Sequence, residues 1–248
     1  MRLATPAKTL RHLETDRVPR ASRARRAVLV IMLTSLAGFT AIWLLMVAGM
    51  TVAVDQELLL MFRTAADVTD PVGPAWFEEM MAEYSALGGY AILVMTILIV
   101  SAGLMLTGRG PLALFLVVAF ASGSAVSTIL KLMIERPRPD LVEHFDRTFT
   151  ASFPSGHAMI SMLAFLTLAS VVVRLCATRA LRVFVLVTAL AVAVLVGVSR
   201  IYLGVHWPSD VAAGWCLGVS WACASWLAAD YLEHHRARHT DELGHSNI

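Results

Sequence analysis

The sequence predicts an all-α integral membrane protein, folded as one bundle of six transmembrane helices. Of its 248 residues, 58% are hydrophobic and only 15% are charged, which is too apolar for an ordinary soluble domain. Six blocks lack Asp, Glu, Lys and Arg over at least about 17 residues, the lower limit for a transmembrane helix. These blocks cover residues 27–54, 84–108, 110–130, 155–173, 183–199 and 211–229.

The Lys and Arg residues predict the direction in which the spans run. Basic residues accumulate on the cytoplasmic side of membrane proteins, and eight of the twenty precede the first span. With the N-terminus inside, fourteen fall on the cytoplasmic side and six outside. The predicted organisation is therefore a basic cytoplasmic segment over 1–26, a six-helix membrane domain over 27–230 and a cytoplasmic tail over 231–248.

The first outer loop, 55–83, is acidic and contains the helix-breaking sequence DPVGP. Large apolar residues follow at helical spacing, namely Trp76, Phe77, Met80, Met81 and Tyr84. This spacing predicts a short helix at the membrane interface with its aromatic side toward lipid. The helix either anchors the loop in the interface or forms a lid over a gap through which lipid reaches the protein.

The outer end of the third span carries the sequence KLMIERPRP, residues 131–139. Lys131 lies in the last part of the span. Pro137 and Pro139 are expected to stop the helix, because a proline disfavours helix in the residue before it. Arg138 then lies on a rigid extended segment and folds back toward Lys131.

Two further segments bring polar groups to the same membrane depth. The fourth span opens on Pro-Ser-Gly-His, where the free N–H groups and the helix dipole at Ser155 and Gly156 favour an anion. The fifth span closes on Arg200. Without a ligand, Lys131, Arg138 and Arg200 would repel one another. Together they match a tetrahedral oxyanion such as phosphate, because arginine offers paired hydrogen bonds and lysine a point charge.

Two histidines give this predicted anion site its chemistry. His206 precedes Asp210 by four residues at the start of the sixth span. Asp210 can accept one ring N–H and leave the lone pair of the other nitrogen free to attack phosphorus. His157, on another helix, is expected to protonate the leaving oxygen. The cations take the role that metal ions fill in many phosphoryl-transfer sites, so we expect no metal and no other cofactor.

Together, the three segments resemble the signature of the type 2 phosphatidic acid phosphatase superfamily, K-x6-R-P, P-S-G-H and S-R-x5-H-x3-D. The matching positions are Lys131, Arg138-Pro139, Pro154 to His157, Ser199-Arg200, His206 and Asp210. The resemblance implies a lipid phosphatase that works through a phosphohistidine. It implies His206 as nucleophile, His157 as acid and Asp210 as the partner of His206. It assigns phosphate binding to Lys131, Arg138, Ser155, Gly156 and Arg200.

The resemblance also implies a bacterial inner-membrane enzyme whose site faces the periplasm or the exterior. Its expected partners are a lipid phosphate substrate and membrane lipids, with no nucleic acid and no obligate protein partner. Phosphatidylglycerol phosphate, phosphatidate, undecaprenyl pyrophosphate and lipid A phosphate all present a terminal phosphate at the interface. The signature does not decide among these four lipids. Of them, glycerophospholipid or undecaprenyl substrates are favoured.

Three alternatives remain beside the phosphatase. Two histidines and a carboxylate form a facial triad for iron or zinc, but three adjacent cations disfavour a divalent ion. Vanadate-dependent haloperoxidases share the signature, but they are soluble. A non-enzymatic lipid binder or transporter would need the anion pocket without the His206–Asp210 pair.

The remaining aromatic and basic residues of the outer loops have simpler expected roles. Arg63, Arg136 and Arg147 are expected to extend along the membrane surface with their charges in water. Trp207, next to His206, is expected to lie in the interfacial aromatic belt, with stacking in the site as the alternative.

Overall fold

The computed structural model describes residues 17–140 and 151–245. Within these residues the regular secondary structure is helical, apart from one isolated β-bridge between Arg63 and Pro71. The helices are α1 (Arg17–Val47), α2 (Val52–Leu60), α3 (Ala75–Ala86), α4 (Tyr90–Leu106), α5 (Gly110–Met133), α6 (Gly156–Leu175), α7 (Arg179–Tyr202) and α8 (Pro208–His245). Residues 1–16, Arg147 and the last three residues of the predicted tail lie outside the described residues.

The prediction of an all-α membrane bundle is confirmed. Among the described helices, α1, α5, α6, α7 and α8 are long and apolar enough to cross a membrane. Helices α3 and α4 meet at a bend of 49° and pass the same test as a pair, so they supply the sixth span when counted together. In α8 the apolar part covers Pro208–His235.

The first span ends at Val47, seven residues before the end of its uncharged block. Gly49 adopts a left-handed conformation with φ of 73°, and the N–H of Met50 donates to the carbonyl of Leu45 at 2.9 Å. This arrangement closes a helix in the manner of a Schellman motif. The chain then begins α2, which carries Asp55 on its buried side.

The second span begins at Tyr90, six residues later than the uncharged block predicts. The chain turns sharply between α3 and α4 because Gly88 packs directly against α7. A Cβ atom at Gly88 would lie 2.3 Å from Cγ1 of Val196. The same turn lies beside His157, whose carbonyl oxygen is 3.4 Å from that Cβ position.

The predicted short helix after DPVGP is present as α3, but most of its large apolar side chains do not face lipid. The ring of Phe77 meets that of Tyr202 edge-on at 5.3 Å, and Met81 is buried beside Leu203. Only Trp76 is largely exposed among the predicted apolar set, at 64%. The expected orientation is therefore wrong for Phe77, Met81 and Tyr84, because this side of α3 packs on the end of α7 instead.

Helices α6 and α8 cross at very short range because α8 presents the sequence GWCLG to α6. A Cβ atom at Gly214 would lie 2.7 Å from the carbonyl oxygen of Ser155, and one at Gly218 would lie 2.5 Å from that of Met159. Small residues four apart allow such backbone contact between membrane helices. The crossing brings the start of α6 to the start of α8, where the N–H of Ser155 donates to the carbonyl of Asp210 at 3.0 Å.

Candidate active site

One end of the helix bundle encloses a cavity of about 830 Å³. Six of the eight predicted site residues line this cavity: Lys131, Arg138, Gly156, His157, Arg200 and His206. The other two, Ser155 and Asp210, are fully buried beside lining residues. The structure thus brings all eight predicted residues together from four separate parts of the chain.

His206 is buried with its two ring nitrogens in different surroundings. Nδ1 lies 3.5 Å from Oδ2 of Asp210 and 3.4 Å from the hydroxyl of Ser152. Nε2 lies 3.5 Å from Nη1 of Arg138 on the cavity side. The carboxylate thus faces Nδ1 and the anion-binding side faces Nε2, which is the arrangement that a nucleophilic imidazole needs.

Burial sets the charge of this ring. It lowers the pKa of His206 to about 3, while Asp210 raises that pKa and the cations Arg138 and Arg200 lower it. The imidazole is therefore neutral at neutral pH and keeps a lone pair for attack. From sequence alone it was open whether the carboxylate or the cations dominate the pKa of His206, because the sequence does not reveal how deeply the ring is buried.

Arg138 is aimed into the cavity by the segment that follows α5. The helix ends at Met133, four residues before Pro137, and Ile134 is already extended. Ile134 packs in an apolar cluster that includes Phe153, which explains why the helix ends before the prolines act. Farther along, Nη1 of Arg138 donates to the carbonyl of Val205 at 2.7 Å, which fixes the guanidinium beside His206.

The N-terminus of α6 provides the remaining anion-binding groups. Ser155 is its N-cap, and the buried hydroxyl of Ser155 has no hydrogen-bond partner among the described residues. Lys131 extends over Gly156, with its Nζ 3.5 Å from where a Cβ atom would stand. A buried hydroxyl without a partner, beside an ammonium group and a helix N-terminus, fits an oxyanion ligand.

Replacing Ser155 with alanine should lower kcat/KM by about tenfold or more, because a hydrogen bond to a charged oxygen contributes about 1.5–3 kcal/mol. The measurement is phosphate release by purified protein. Ser161→Ala is the matched control, since Ser161 is equally buried in α6 but bonds the carbonyl of Ala158. Equal losses in both variants would contradict a specific role for Ser155.

Arg200 reaches the cavity from the last turn of α7. It is 3% exposed, and its Nη1 donates to the hydroxyl of Ser85 at 2.7 Å. Ser85 belongs to α3, so a helix that follows the first span orients a cation of the predicted phosphate site. The sequence signature does not indicate Ser85, which lies 115 residues away from Arg200.

The expectation of solvated charges is wrong for Arg63 and Arg136. Arg63 is 7% exposed, and its Nη1 donates to the carbonyls of Phe62 and Tyr202 at 3.0 and 2.9 Å. Arg136 forms ion pairs with Asp55 and Asp210. These buried partners supply hydrogen bonds that compensate each guanidinium for lost water.

Trp207 is half-buried and contacts several segments around the cavity. Its indole N–H donates to the carbonyl of Pro137 at 3.1 Å, and its ring faces the guanidinium of Arg136 at 5.7 Å. Its backbone N–H donates to Oδ2 of Asp210 at 3.0 Å. Trp207 therefore ties the segment after α5 to the start of α8.

Sequence reasoning also missed Ser152, whose hydroxyl donates to Oδ2 of Asp210. The backbone N–H of Ser152 donates to the carbonyl of Arg136 at 2.9 Å, so two cavity-forming segments are paired. Ser152 lies just before the Pro-Ser-Gly-His sequence, but nothing in that sequence distinguishes it. For metals, the described residues contain no group of three or more His, Cys, Asp or Glu side chains suited to hold an ion.

A membrane-spanning chain that closes such an anion site around a neutral histidine falls in the class of membrane-embedded phosphatases. Comparison with known proteins gives the family. Residues 112–233 match the PAP2 superfamily, and a relative that is 34% identical matches over 71% of its own length. This chain belongs to the PAP2 superfamily.

Three known proteins illustrate the similarity. Phosphatidylglycerophosphatase B of Bacillus subtilis is 34% identical over 145 residues, which cover 58% of this chain and 71% of that protein. Undecaprenyl-diphosphatase of Sulfolobus acidocaldarius is 43% identical over 70 residues, or 28% of this chain and 29% of that protein. The crystal structure of a transmembrane PAP2 type phosphatidylglycerolphosphate phosphatase from Bacillus subtilis superposes with a TM-score of 0.65 at 28% identity, covering 80% of this chain and 93% of that chain.

Proposed function

We propose that this protein removes the terminal phosphate of a lipid phosphate or diphosphate at the outer face of a bacterial inner membrane. The observation that carries the proposal is the convergence of three cations, a helix N-terminus and the His206–Asp210 pair on one cavity of a membrane bundle. The named activities of the Bacillus and Sulfolobus relatives support a lipid substrate. The four lipid phosphates that the sequence leaves open remain the candidates.

The reaction proceeds in two steps. Nε2 of His206 attacks phosphorus, so that an N–P bond forms while the P–O bond to the lipid breaks. His157 gives its proton to the leaving oxygen. In the second step water attacks phosphorus, the N–P bond breaks and His157 takes a proton from the water. Lys131, Arg138 and Arg200 stabilise the charge on the phosphoryl oxygens throughout.

The cavity has a second wall suited to the lipid part of the substrate. Beyond the cations it is lined by Tyr90 of α4 and by a set of mostly small residues on α5: Ser124, Ala125, Ser127, Thr128 and Leu132. Helix α3 supports Arg200 through Ser85 and packs on α7. These contacts favour α3 as a fixed part of the protein over α3 as a mobile lid.

The proposed orientation puts both termini in the cytoplasm and the cavity outside. The excess of Lys and Arg on one side supports it, following the positive-inside bias. The start of α1 and the end of α8 also meet at one side, where Arg25 pairs with Asp230. Under this proposal residues 1–26 and 231–248 are cytoplasmic segments around the membrane domain over 27–230.

Phosphate release by the purified protein from a small panel of lipid phosphates tests the lipid assignment. The panel contains phosphatidylglycerol phosphate, phosphatidate, undecaprenyl pyrophosphate and lipid A phosphate in detergent micelles. Short soluble phosphate esters serve as the comparison. The proposal expects faster release from at least one lipid. Equal rates on soluble esters would refute lipid specificity.

Activity should survive a strong chelator, because cations of the protein are proposed to stabilise the phosphoryl oxygens. We expect less than about a twofold change in rate after prolonged treatment with EDTA, since each supporting charge is part of the chain. The measurement is phosphate release before and after removal of the chelator by gel filtration. Activity that disappears with EDTA and returns with zinc or iron would favour the facial-triad alternative.

A further inference from the structure

Arg136 joins two carboxylates that lie far apart in the sequence. Its Nη2 is 2.8 Å from Oδ2 of Asp55, and its Nη1 bonds Oδ1 of Asp210. Asp55 is 2% exposed and Asp210 is fully buried. The side chain of Arg136 is 11% exposed. The guanidinium therefore bridges two buried carboxylates.

Asp55 is held as firmly as the arginine that it binds. Its Oδ1 accepts the backbone N–H of Ser209 at 2.8 Å, and its Oδ2 accepts the Ser209 hydroxyl at 2.6 Å. Arg136 also donates to that hydroxyl at 2.8 Å. Ser209 is the residue before Asp210 on α8. The first turn of α8 is thus fixed by a carboxylate from α2 and a guanidinium from the segment after α5.

Asp210 divides its two oxygens between structure and chemistry. Oδ1 accepts from Arg136, whereas Oδ2 accepts from Ser152 and from the Trp207 N–H and faces Nδ1 of His206. Because donors hold both oxygens, the carboxylate is restrained from rotating away from the imidazole, and Arg136 is the donor that holds Oδ1. A carboxylate with less support would be free to take other rotamers, and the imidazole would lose its orientation.

We propose that Asp55 and Arg136 are positioning residues for the reaction, acting together through Asp210 to hold His206 in line with the phosphorus. Neither side chain belongs to the signature that resembles the phosphatase family. The inference rests on the proposed function, because it assigns no chemistry of its own to Asp55 or Arg136. Arg136 lines the cavity, but both of its described ion pairs are with carboxylates of the protein.

The test compares Arg136→Gln, Asp55→Asn and the double variant in detergent micelles. The substrate is phosphatidylglycerol phosphate or undecaprenyl pyrophosphate, whichever the unmodified protein cleaves faster. Arg136→Gln should lower kcat about 10- to 30-fold and Asp55→Asn about 5- to 10-fold, with less than about a threefold change in KM. The inhibition constant for inorganic phosphate should also change by less than about threefold, because the phosphate-binding cations remain.

Because the two residues act as one unit, the double variant should be about as slow as Arg136→Gln alone. Arg136→Lys should recover part of the lost kcat, since it keeps the charge but cannot bond both carboxylates equally well. Arg63→Gln is the matched control. Arg63 is another buried guanidinium, and among the described residues its Nη1 donates to the backbone carbonyls of Phe62 and Tyr202. The kcat of Arg63→Gln should stay within about threefold.

The outcomes separate this inference from the proposed function. If the unmodified protein releases no phosphate from any lipid phosphate, the function itself fails. If it turns over and Arg136→Gln and Asp55→Asn keep full kcat, only the positioning role fails. Additive losses, or phosphate binding that weakens in step with kcat, would also overturn that role in favour of general structural damage. If Arg136→Gln does not fold, the nearly isosteric Asp55→Asn decides alone.

Discussion

His206→Ala should abolish phosphate release, with a loss on the order of 10⁴-fold or more, as expected when a nucleophile is removed from a covalent mechanism. The substitution removes the atom that bonds phosphorus, and the described cavity offers no second histidine in the same position. The other groups that bind the phosphate remain in place. Inorganic phosphate should therefore still bind with an affinity within about tenfold of the original.

This split between turnover and binding separates an enzyme from a lipid binder or transporter. A binder should tolerate the loss of His206, whereas the proposed enzyme should keep its ligand and lose its reaction. His234→Ala is the control, because His234 also lies four residues from an aspartate on α8 but is exposed at the opposite end of the bundle. It should retain full activity. Turnover that survives in His206→Ala would end the proposed mechanism.

The covalent intermediate provides a further check on the same residue. After rapid mixing with substrate and quenching, mass spectrometry should find a phosphoryl group on the peptide that contains His206. The label should be absent in His206→Ala. A label on His157 instead would exchange the two roles that the resemblance implies, and a label on any third residue would refute both.

The parts of the fold that sequence predicts well are those that depend on local composition. Uncharged blocks predict the spans, because a membrane excludes charge wherever a helix crosses it. The helix ends were predicted less well. Gly49 ends α1 inside an uncharged block, and Gly88 bends the chain where α7 lies too close for a side chain. Neither effect changes the hydrophobicity that defines a block.

The parts of the site that sequence predicts well are the signature residues, since their spacing specifies a chemistry. The supporting residues are different. Asp55 and Arg136 are 81 residues apart, and Ser152 and Asp210 are 58 apart. The sequence around Asp55 or Arg136 does not reveal whether the side chain is buried or solvated. The two are paired only by tertiary packing, so the sequence pattern does not identify them as partners.

The close crossing of α6 and α8 depends on the two glycines of GWCLG, and it leads to the second large effect. Gly214→Ala should lower kcat about 100-fold and destabilise the protein by about 1–3 kcal/mol, as overpacking and small displacements of reacting groups do. The added Cβ would lie 2.7 Å from the carbonyl oxygen of Ser155, a backbone atom that cannot rotate aside. The helices must separate, and the Ser155–Asp210 backbone hydrogen bond lengthens.

The same substitution at Gly103 provides the control for this effect. Gly103 lies in α4, where a Cβ atom would meet nothing within 4 Å among the described residues. Gly103→Ala should keep full activity and raise the thermal unfolding midpoint slightly, because alanine favours helix over glycine by up to about 1 kcal/mol. If Gly214→Ala instead behaved like Gly103→Ala in both kcat and midpoint, the contact between α6 and α8 would not hold the phosphate-binding helix N-terminus against the nucleophile. The two halves of the site would then have to be aligned by the polar contacts of Asp210 and Ser152 alone.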